Sequence, residues 1–223
     1  MCSTLADKGE TILFRSYRPP TDGNPVSTVV KSADFSDISI LESCRATSAA
    51  PTYFPPMEIK RPAASGSTTR MTNFTFWDGG VLNNNPIDQV WDARYDLAES
   101  VTETPVVSCV VSIGTSFANT KPSVGGRLQK LIYTVTQLMS FVTNTEAKHK
   151  DFARNIDRMN LRLPKNQQIR YFRFNVPTGD EEFPMDDWQK MPKLKQMTRE
   201  YLADPEIQKK VEDCARVLAR LQV

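Results

Sequence analysis

Apolar residues are patterned in three ways along this chain, and each pattern predicts a different kind of element. Val106 to Ile113 is a near-continuous apolar run rich in valine. Such a run suits a strand with helices on both of its faces, and so predicts a parallel α/β sheet. From Leu128 the apolar residues fall at 128, 131, 132, 135, 138, 139 and 142, the spacing of one helix face held over several turns. Arg170 to Val176 alternates, with Phe172, Phe174 and Val176 on one side, which predicts a half-buried strand that could lie at a sheet edge. Phe74 to Trp77 alternates over a shorter span and predicts a strand ending at Asp78. Thr11 to Tyr17 reads as a strand too, and with no element expected before it the chain reads as starting in mid-domain.

Capping and turn residues place the remaining boundaries. Pro19 to Pro25 turns the backbone, and Val26 to Lys31 is a short extended segment. A helix is predicted from about Asp37 to Ala46, with Ser39 and Glu42 at capping-box spacing. The small residues of Ala46-Thr47-Ser48-Ala49-Ala50-Pro51, followed by Tyr53-Phe54-Pro55-Pro56, predict a joint where backbones approach closely before a stiff exit. Residues from about 57 to 73, with Pro62, Ser65, Gly66, Ser67, Thr68 and Thr69, read as a surface loop. Asn85 and Pro86 suit an N-cap and first helical position, for a helix running to about Ala98. Asp204-Pro205-Glu206 starts a closing helix with Ile207, Val211, Cys214, Ala215, Leu218 and Leu221 inward. The part from about 125 to 223 is expected to be mostly helical, within a single domain covering 1–223.

Composition narrows the function classes. With 223 residues, 39% of them apolar, the chain can bury a sizeable core. A net charge of +2 from 28 basic and 26 acidic residues, mixed along the sequence, leaves no basic tract to follow a phosphate backbone, so no nucleic-acid partner is expected. Cys2, Cys44, Cys109 and Cys214 stand singly, and one histidine cannot complete a metal site with them. Reduced thiols in a cytoplasmic compartment and no metal are the expectation. Met1 to Gly9 lacks the apolar core of a secretory signal, and Val106 to Ile113 is too short to span a bilayer. Any contact with lipid is expected to be peripheral. Oligomeric state is not encoded in any pattern found.

The candidate chemistry centres on Trp77-Asp78-Gly79-Gly80-Val81-Leu82-Asn83-Asn84-Asn85-Pro86. Here a carboxylate ends an apolar segment, at the sheet rim where α/β folds place ligands, and two glycines let a substrate approach the backbone. The same spacing fits a turn aspartate satisfying nearby amides. A serine in a GxSxG elbow would be the natural nucleophile beside such a base, and that pattern is absent from the chain. Gly114-Thr115-Ser116-Phe117-Ala118 follows a strand and matches a relaxed elbow, but Asn119 to Ser123 reads as loop where an elbow needs a helix. The sole histidine, His149, falls in a charged stretch that reads as a solvated helix face. Gly125-Gly126-Arg127 lacks the remainder of a phosphate-binding loop and reads as a turn.

Three segments in order carry a family resemblance: Cys44 to Pro56, Asp78-Gly79-Gly80-Val81 with Asn84-Asn85-Pro86, and Val111-Ser112-Ile113-Gly114-Thr115. Together they resemble the patatin-like phospholipases from about Ile12 to Thr115, with a weaker likeness through Tyr171 to Val176 and the closing helices. The resemblance implies an α/β sheet flanked by helices on both faces and a Ser–Asp dyad in which Asp78 is the general base and Gly79 and Gly80 complete the motif. It also implies glycerolipid, phospholipid or lysophospholipid esters as substrates, and no metal or organic cofactor. The family's DGGGxRG oxyanion loop and its serine elbow are both missing from these residues, so the chain reads as the C-terminal portion of an incomplete patatin-like domain, inactive alone. A non-catalytic remnant that binds lipid or a protein partner is the competing expectation.

Overall fold

Main-chain pairing begins at the second residue. In the computed structural model, which describes residues 1–17, 35, 37–62, 71–97, 105–117, 145–181, 183 and 187–220, strand β1 (Cys2–Leu5) pairs antiparallel with β2 (Glu10–Leu13). The strand expected at Thr11 therefore has a partner before it. The hairpin is closed by Gly9 at φ +63°, with its amide on the Leu5 carbonyl at 2.9 Å. The Cys-Ser-Thr-Leu strand escapes a hydrophobicity reading because Ser3 and Thr4 are polar, yet both are buried with their hydroxyls bonded to backbone.

Helix α1 (Ile40–Thr47) starts at the Ser39 N-cap, and both arms of its capping box with Glu42 are formed. Beyond it, β3 (Met57–Pro62) and β4 (Met71–Asp78) form an antiparallel ladder from Met57↔Phe76 to Pro62↔Met71. This corrects the surface loop expected over about 57–73: Met57 and Ile59 alternate with Glu58 and Lys60, a strand pattern that the neighbouring serines, threonines and glycine obscure. Only the part at 63–70 lies outside the described residues. The sheet order is β2-β1-β4-β3. Leu5, Ile12, Phe14, Phe35, Ala46, Ile59 and Phe76 form its core. The Phe35 ring meets Phe74 and Phe76 edge-on at 5.1 and 5.3 Å between centroids.

After Asp78 the chain turns at once into the short helix α2 (Gly80–Asn83), and then into α3 (Ile87–Ala93), with Pro86 as the N-cap residue. The helix expected to run to about Ala98 gives way to a 3-10 turn at Arg94–Leu97. There Arg15 and Tyr17 both donate to Asp96, at 2.6 and 3.0 Å.

The chain divides into two compact units, Met1–Pro105 with Thr134–Asn144, and Val106–Tyr133 with Thr145–Val223. In the second, β5 (Cys109–Ile113) and β6 (Arg170–Phe174) pair in parallel, from Cys109↔Arg170 to Ile113↔Phe174. The parallel sheet is as expected; among the described residues Val111 is 38% and Ile113 78% exposed, while Ser112 is buried. Valine and isoleucine fit the pleat whether or not a layer covers them, which is why the run is legible as a strand.

Helix α4 (Thr145–Asn160) buries Phe152 and Ile156, one turn apart. Helix α5 (Met191–Ala203) precedes α6 (Pro205–Arg220), whose first turn is capped by Asp204 Oδ1 on the amides of Glu206 and Ile207 at 2.8 and 3.2 Å. Of the side chains expected inward on α6, Cys214 is buried, whereas Val211 and Leu218 are exposed. The molecule is thus a mixture of helices and strands with a small antiparallel sheet and a parallel sheet, an incomplete α/β arrangement. The expected strand at Val26 to Lys31, the long helix from Leu128 and the turn at Gly125 to Arg127 lie outside the described residues.

Candidate active site

Asp78 is the last residue of β4, half-buried, and its main chain is fixed on both sides. Its amide donates to the Ala49 carbonyl at 2.9 Å and its carbonyl accepts the Thr4 hydroxyl at 3.0 Å. Ser3, opposite Asp78 in the ladder, directs its hydroxyl to the carbonyls of Trp77 at 2.8 Å and Ala46 at 3.1 Å. The small-residue joint predicted at Ala46 to Pro51 is what allows this: Ala46 and Ala49 are fully buried, and no larger side chain separates the end of α1 from the end of β4.

The two glycines after Asp78 serve different purposes. Gly79 donates its amide to Thr47 O at 3.2 Å, and a β-carbon on it would fall deep inside contact with the Cys2 carbonyl. That carbonyl is itself held by the Thr47 hydroxyl. Gly80 donates its amide to Asp78 Oδ1 at 2.6 Å, and a β-carbon there would lie 2.9 Å from the same oxygen. One carboxylate oxygen is therefore oriented by a backbone amide two residues on, the Asx-turn geometry. The Asn83 side chain donates to the Thr11 hydroxyl at 2.7 Å and ties α2 to β2.

The structure brings Asp78, Gly79 and Gly80 into one tight turn. It places the other residues considered for chemistry in the second unit. Ser116 has φ +138°, a conformation side-chain-bearing residues rarely adopt, and the next residue, Phe117, forms a parallel bridge with Pro177. Among the described residues Ser116 is followed by the bridge residue Phe117 and not by a helical turn, which does not fit an elbow. His149 is not on a solvated face. It is half-buried on α4, with Nδ1 3.0 Å from the Tyr171 hydroxyl and its ring 5.5 Å from the Tyr171 ring. Burial holds His149 below its ordinary range, with Arg173, Lys210 and Lys150 pushing the same way and Glu146 opposing them.

Around His149 lies a polar network that the sequence reading does not single out. Arg173, 7% exposed, donates to Ser112 Oγ and to Glu146 Oε1, each at 3.0 Å, and Asn175 donates to the same carboxylate oxygen at 2.8 Å. Desolvation raises the Glu146 pKa, but the hydrogen bonds from Asn175 and Arg173 and the charge of Arg173 outweigh it and leave the group below its usual range. The available signal was a charged residue between two phenylalanines in a half-buried strand.

Among the described residues no group of acidic, cysteine or histidine side chains is arranged to hold a metal ion, and no helix is long and apolar enough to cross a membrane. All four cysteines carry free thiols, and burial together with the neighbouring Cys214 pushes the Cys109 thiol up.

A mixed α/β unit that ends a strand on an aspartate followed by two glycines, the first of them held against backbone, is the arrangement in which comparison with known families becomes informative. The model of the patatin-like phospholipase family matches residues 7–91. The match supports a lipid acyl hydrolase family. It covers less than half of the chain, spans β2 to α3 and includes Asp78, Gly79 and Gly80. No curated protein matches the chain.

Proposed function

We propose that this chain is the C-terminal portion of a patatin-like lipid acyl hydrolase domain and carries the basic half of a Ser–Asp dyad. The observation that supports this reading most directly is the family match over 7–91 around a half-buried Asp78 at the end of a strand. In this role Asp78 accepts the serine hydroxyl proton as that oxygen attacks the ester carbonyl of a glycerolipid, phospholipid or lysophospholipid. The amide of Gly80 fixes one carboxylate oxygen, and the other would accept the proton of the incoming hydroxyl. The nucleophile and the oxyanion donors would come from sequence beyond these 223 residues, which contain neither a GxSxG nor a DGGGxRG motif. The enzyme would work without a metal or organic cofactor, in the cytoplasm or peripherally at a membrane.

The test has two arms. The 223-residue chain should neither hydrolyse lysophospholipid nor be labelled by a fluorophosphonate probe. A product extended upstream in frame through both motifs should do both, and Asp78→Asn in it should lower kcat by about 10³-fold, the middle of the range for a general base, with the fold intact. Retained hydrolysis in Asp78→Asn would remove Asp78 from the chemistry. Absence of in-frame motifs upstream would favour the second reading, a non-catalytic lipid-binding or protein-interaction remnant, which the missing serine elbow already makes a serious rival. Labelling of this chain alone, lost in Ser116→Ala, would instead transfer the nucleophile to Ser116.

A further inference from the structure

The second unit contains a polar cavity of about 400 Å³ between α4, β6 and α6, large enough for a small ligand. His149 and Asp157 line it from α4, Arg170, Tyr171 and Arg173 from β6, and Lys210 from α6. With Arg173 paired to Glu146, Arg170 and Lys210 face one carboxylate, Asp157, a small surplus of positive charge in a chain that is close to neutral as a whole.

These cations keep hydrogen-bonding capacity in reserve. Lys210 donates to the Arg173 carbonyl at 2.7 Å and has no carboxylate within ion-pair distance among the described residues, so most of its ammonium capacity is unspent. Arg173 uses Nη1 and Nη2 on Ser112 and Glu146, while its buried Nε has no acceptor. Arg170, exposed at the start of β6, likewise has no carboxylate partner among the described residues. A buried guanidinium N–H without an acceptor, beside a half-buried ammonium with one carbonyl and no counter-charge, is a costly arrangement unless something anionic completes it.

We propose that this cavity binds a phosphate group, held by Lys210 and Arg170 beside Arg173 and Tyr171. Phosphate suits it because a tetrahedral dianion accepts several convergent donors, and guanidinium and ammonium groups are the side chains that match it. The site is independent of the dyad: it uses no residue of the Asp78 turn and holds whether or not Asp78 is a base. The phosphate can be free or part of a lipid headgroup, and the two sources share this recognition chemistry.

Because His149 is the sole histidine, its imidazole resonances report on the cavity without assignment. Charged groups reach it from its own helix (Glu146 and Lys150), from β6 (Arg173) and from α6 (Lys210). Inorganic phosphate titrated into the full chain at constant ionic strength should shift the His149 signals saturably, and raise the midpoint of their pH titration by about half a unit, as a nearby anion favours imidazolium. Lys210→Gln and Arg170→Gln should each weaken binding about tenfold, the loss of one charge-assisted contact, and Lys210→Arg should retain it.

Sedimentation with phosphatidylcholine vesicles, with and without phosphatidic acid, separates the sources. Cosedimentation only with phosphatidic acid, competed by inorganic phosphate, identifies a headgroup, whereas binding of soluble phosphate alone identifies the free ion. A shift that does not saturate, that chloride reproduces, or that survives unchanged in Lys210→Gln overturns the proposal. Should Lys210→Gln lose its circular dichroism, the exposed Arg170→Gln decides in its place.

Discussion

The two units hold their distinctive polar groups by different means. In the first, Asp78 is positioned by main chain: a strand end, two carbonyl–amide contacts, a buried Thr4 hydroxyl and a glycine that nothing else could replace. In the second, the groups around His149 are positioned by side chains that hold one another, Ser112 to Arg173 to Glu146 to Asn175. A backbone-built site is rigid as long as its strands pair, and its weak points are steric. A side-chain network is tunable and responds to charge. The contrast says where each unit should fail first.

The largest effect expected is catalytic, the loss of about 10³-fold in kcat on Asp78→Asn in an extended active product, because removing a base leaves the surrounding backbone contacts in place. The next is steric and compares the units directly. Gly79→Ala forces a β-carbon against the Cys2 carbonyl, part of a paired strand that cannot yield locally, and should cost about 3 kcal/mol in urea unfolding of the full chain. Gly114→Ala in the second unit meets the Asn175 amide, and lies 2.8 Å from Arg173 Nη2, so the obstacle is side chain that can rotate. It should cost about 1–2 kcal/mol. Equal costs would mean that the side-chain network is as unyielding as the strand, and the contrast would collapse.

Acid should separate the units next. The carboxyl of Glu146 is held below its ordinary range in the folded state by Asn175 and Arg173 against the opposing effect of burial, so the bonds it accepts stabilise fully above about pH 4.5, the unfolded value. That contribution is lost as the pH falls through the folded value. Amide protection at Arg173 and Phe174, taken relative to the intrinsic exchange rate at each pH, should therefore fall in acid in the native protein, and Glu146→Gln should flatten the dependence. His149 acts in the same direction over a higher window: its folded value is depressed, so stability falls as the pH drops below about 6.5. Exchange in the β1–β4 pair should be less sensitive, since the main chain at Asp78 is held by the Ala49 carbonyl and the Thr4 hydroxyl, which carry no charge.

The same contrast explains what could be read from the sequence. The Asp78 turn was legible because its determinants are local or small: the glycine pair, the run from Ala46 to Pro51 and the capping residues at Ser39 and Glu42 all act within a few positions. β1 was not, because its buried polar residues are satisfied by carbonyls 43 and 74 positions away. β3 was hidden by the composition of the residues that follow it. The network around Arg173 depends on separations of 61 and 29 residues that no periodicity encodes. The exposure of Val111 and Ile113 is likewise not encoded locally, since a run of β-branched residues specifies a strand but not what lies above it.

The smallest effect tests whether the first unit's site depends on a helix end at a distance from it. Ser39 donates its amide at 2.9 Å and its hydroxyl at 2.7 Å to Glu42 Oε2, which holds the Glu42 carboxyl below its ordinary range, and the same hydroxyl accepts the Glu42 amide at 3.2 Å. Ser39→Ala removes the hydroxyl arm and should cost about 1 kcal/mol. The far end of the same helix supplies the Ala46 carbonyl that receives the Ser3 hydroxyl and the Thr47 carbonyl that receives the Gly79 amide. If the Asp78 turn leans on α1, the variant should speed hydrogen exchange at the Asp78 and Gly79 amides while leaving Arg173 and Phe174 unchanged. If exchange at Asp78 and Gly79 is unaltered by a destabilised α1, the β1–β4 ladder alone holds the carboxylate, and the backbone-built site needs less of the unit than the hydrogen bonds to Ala46 and Thr47 imply.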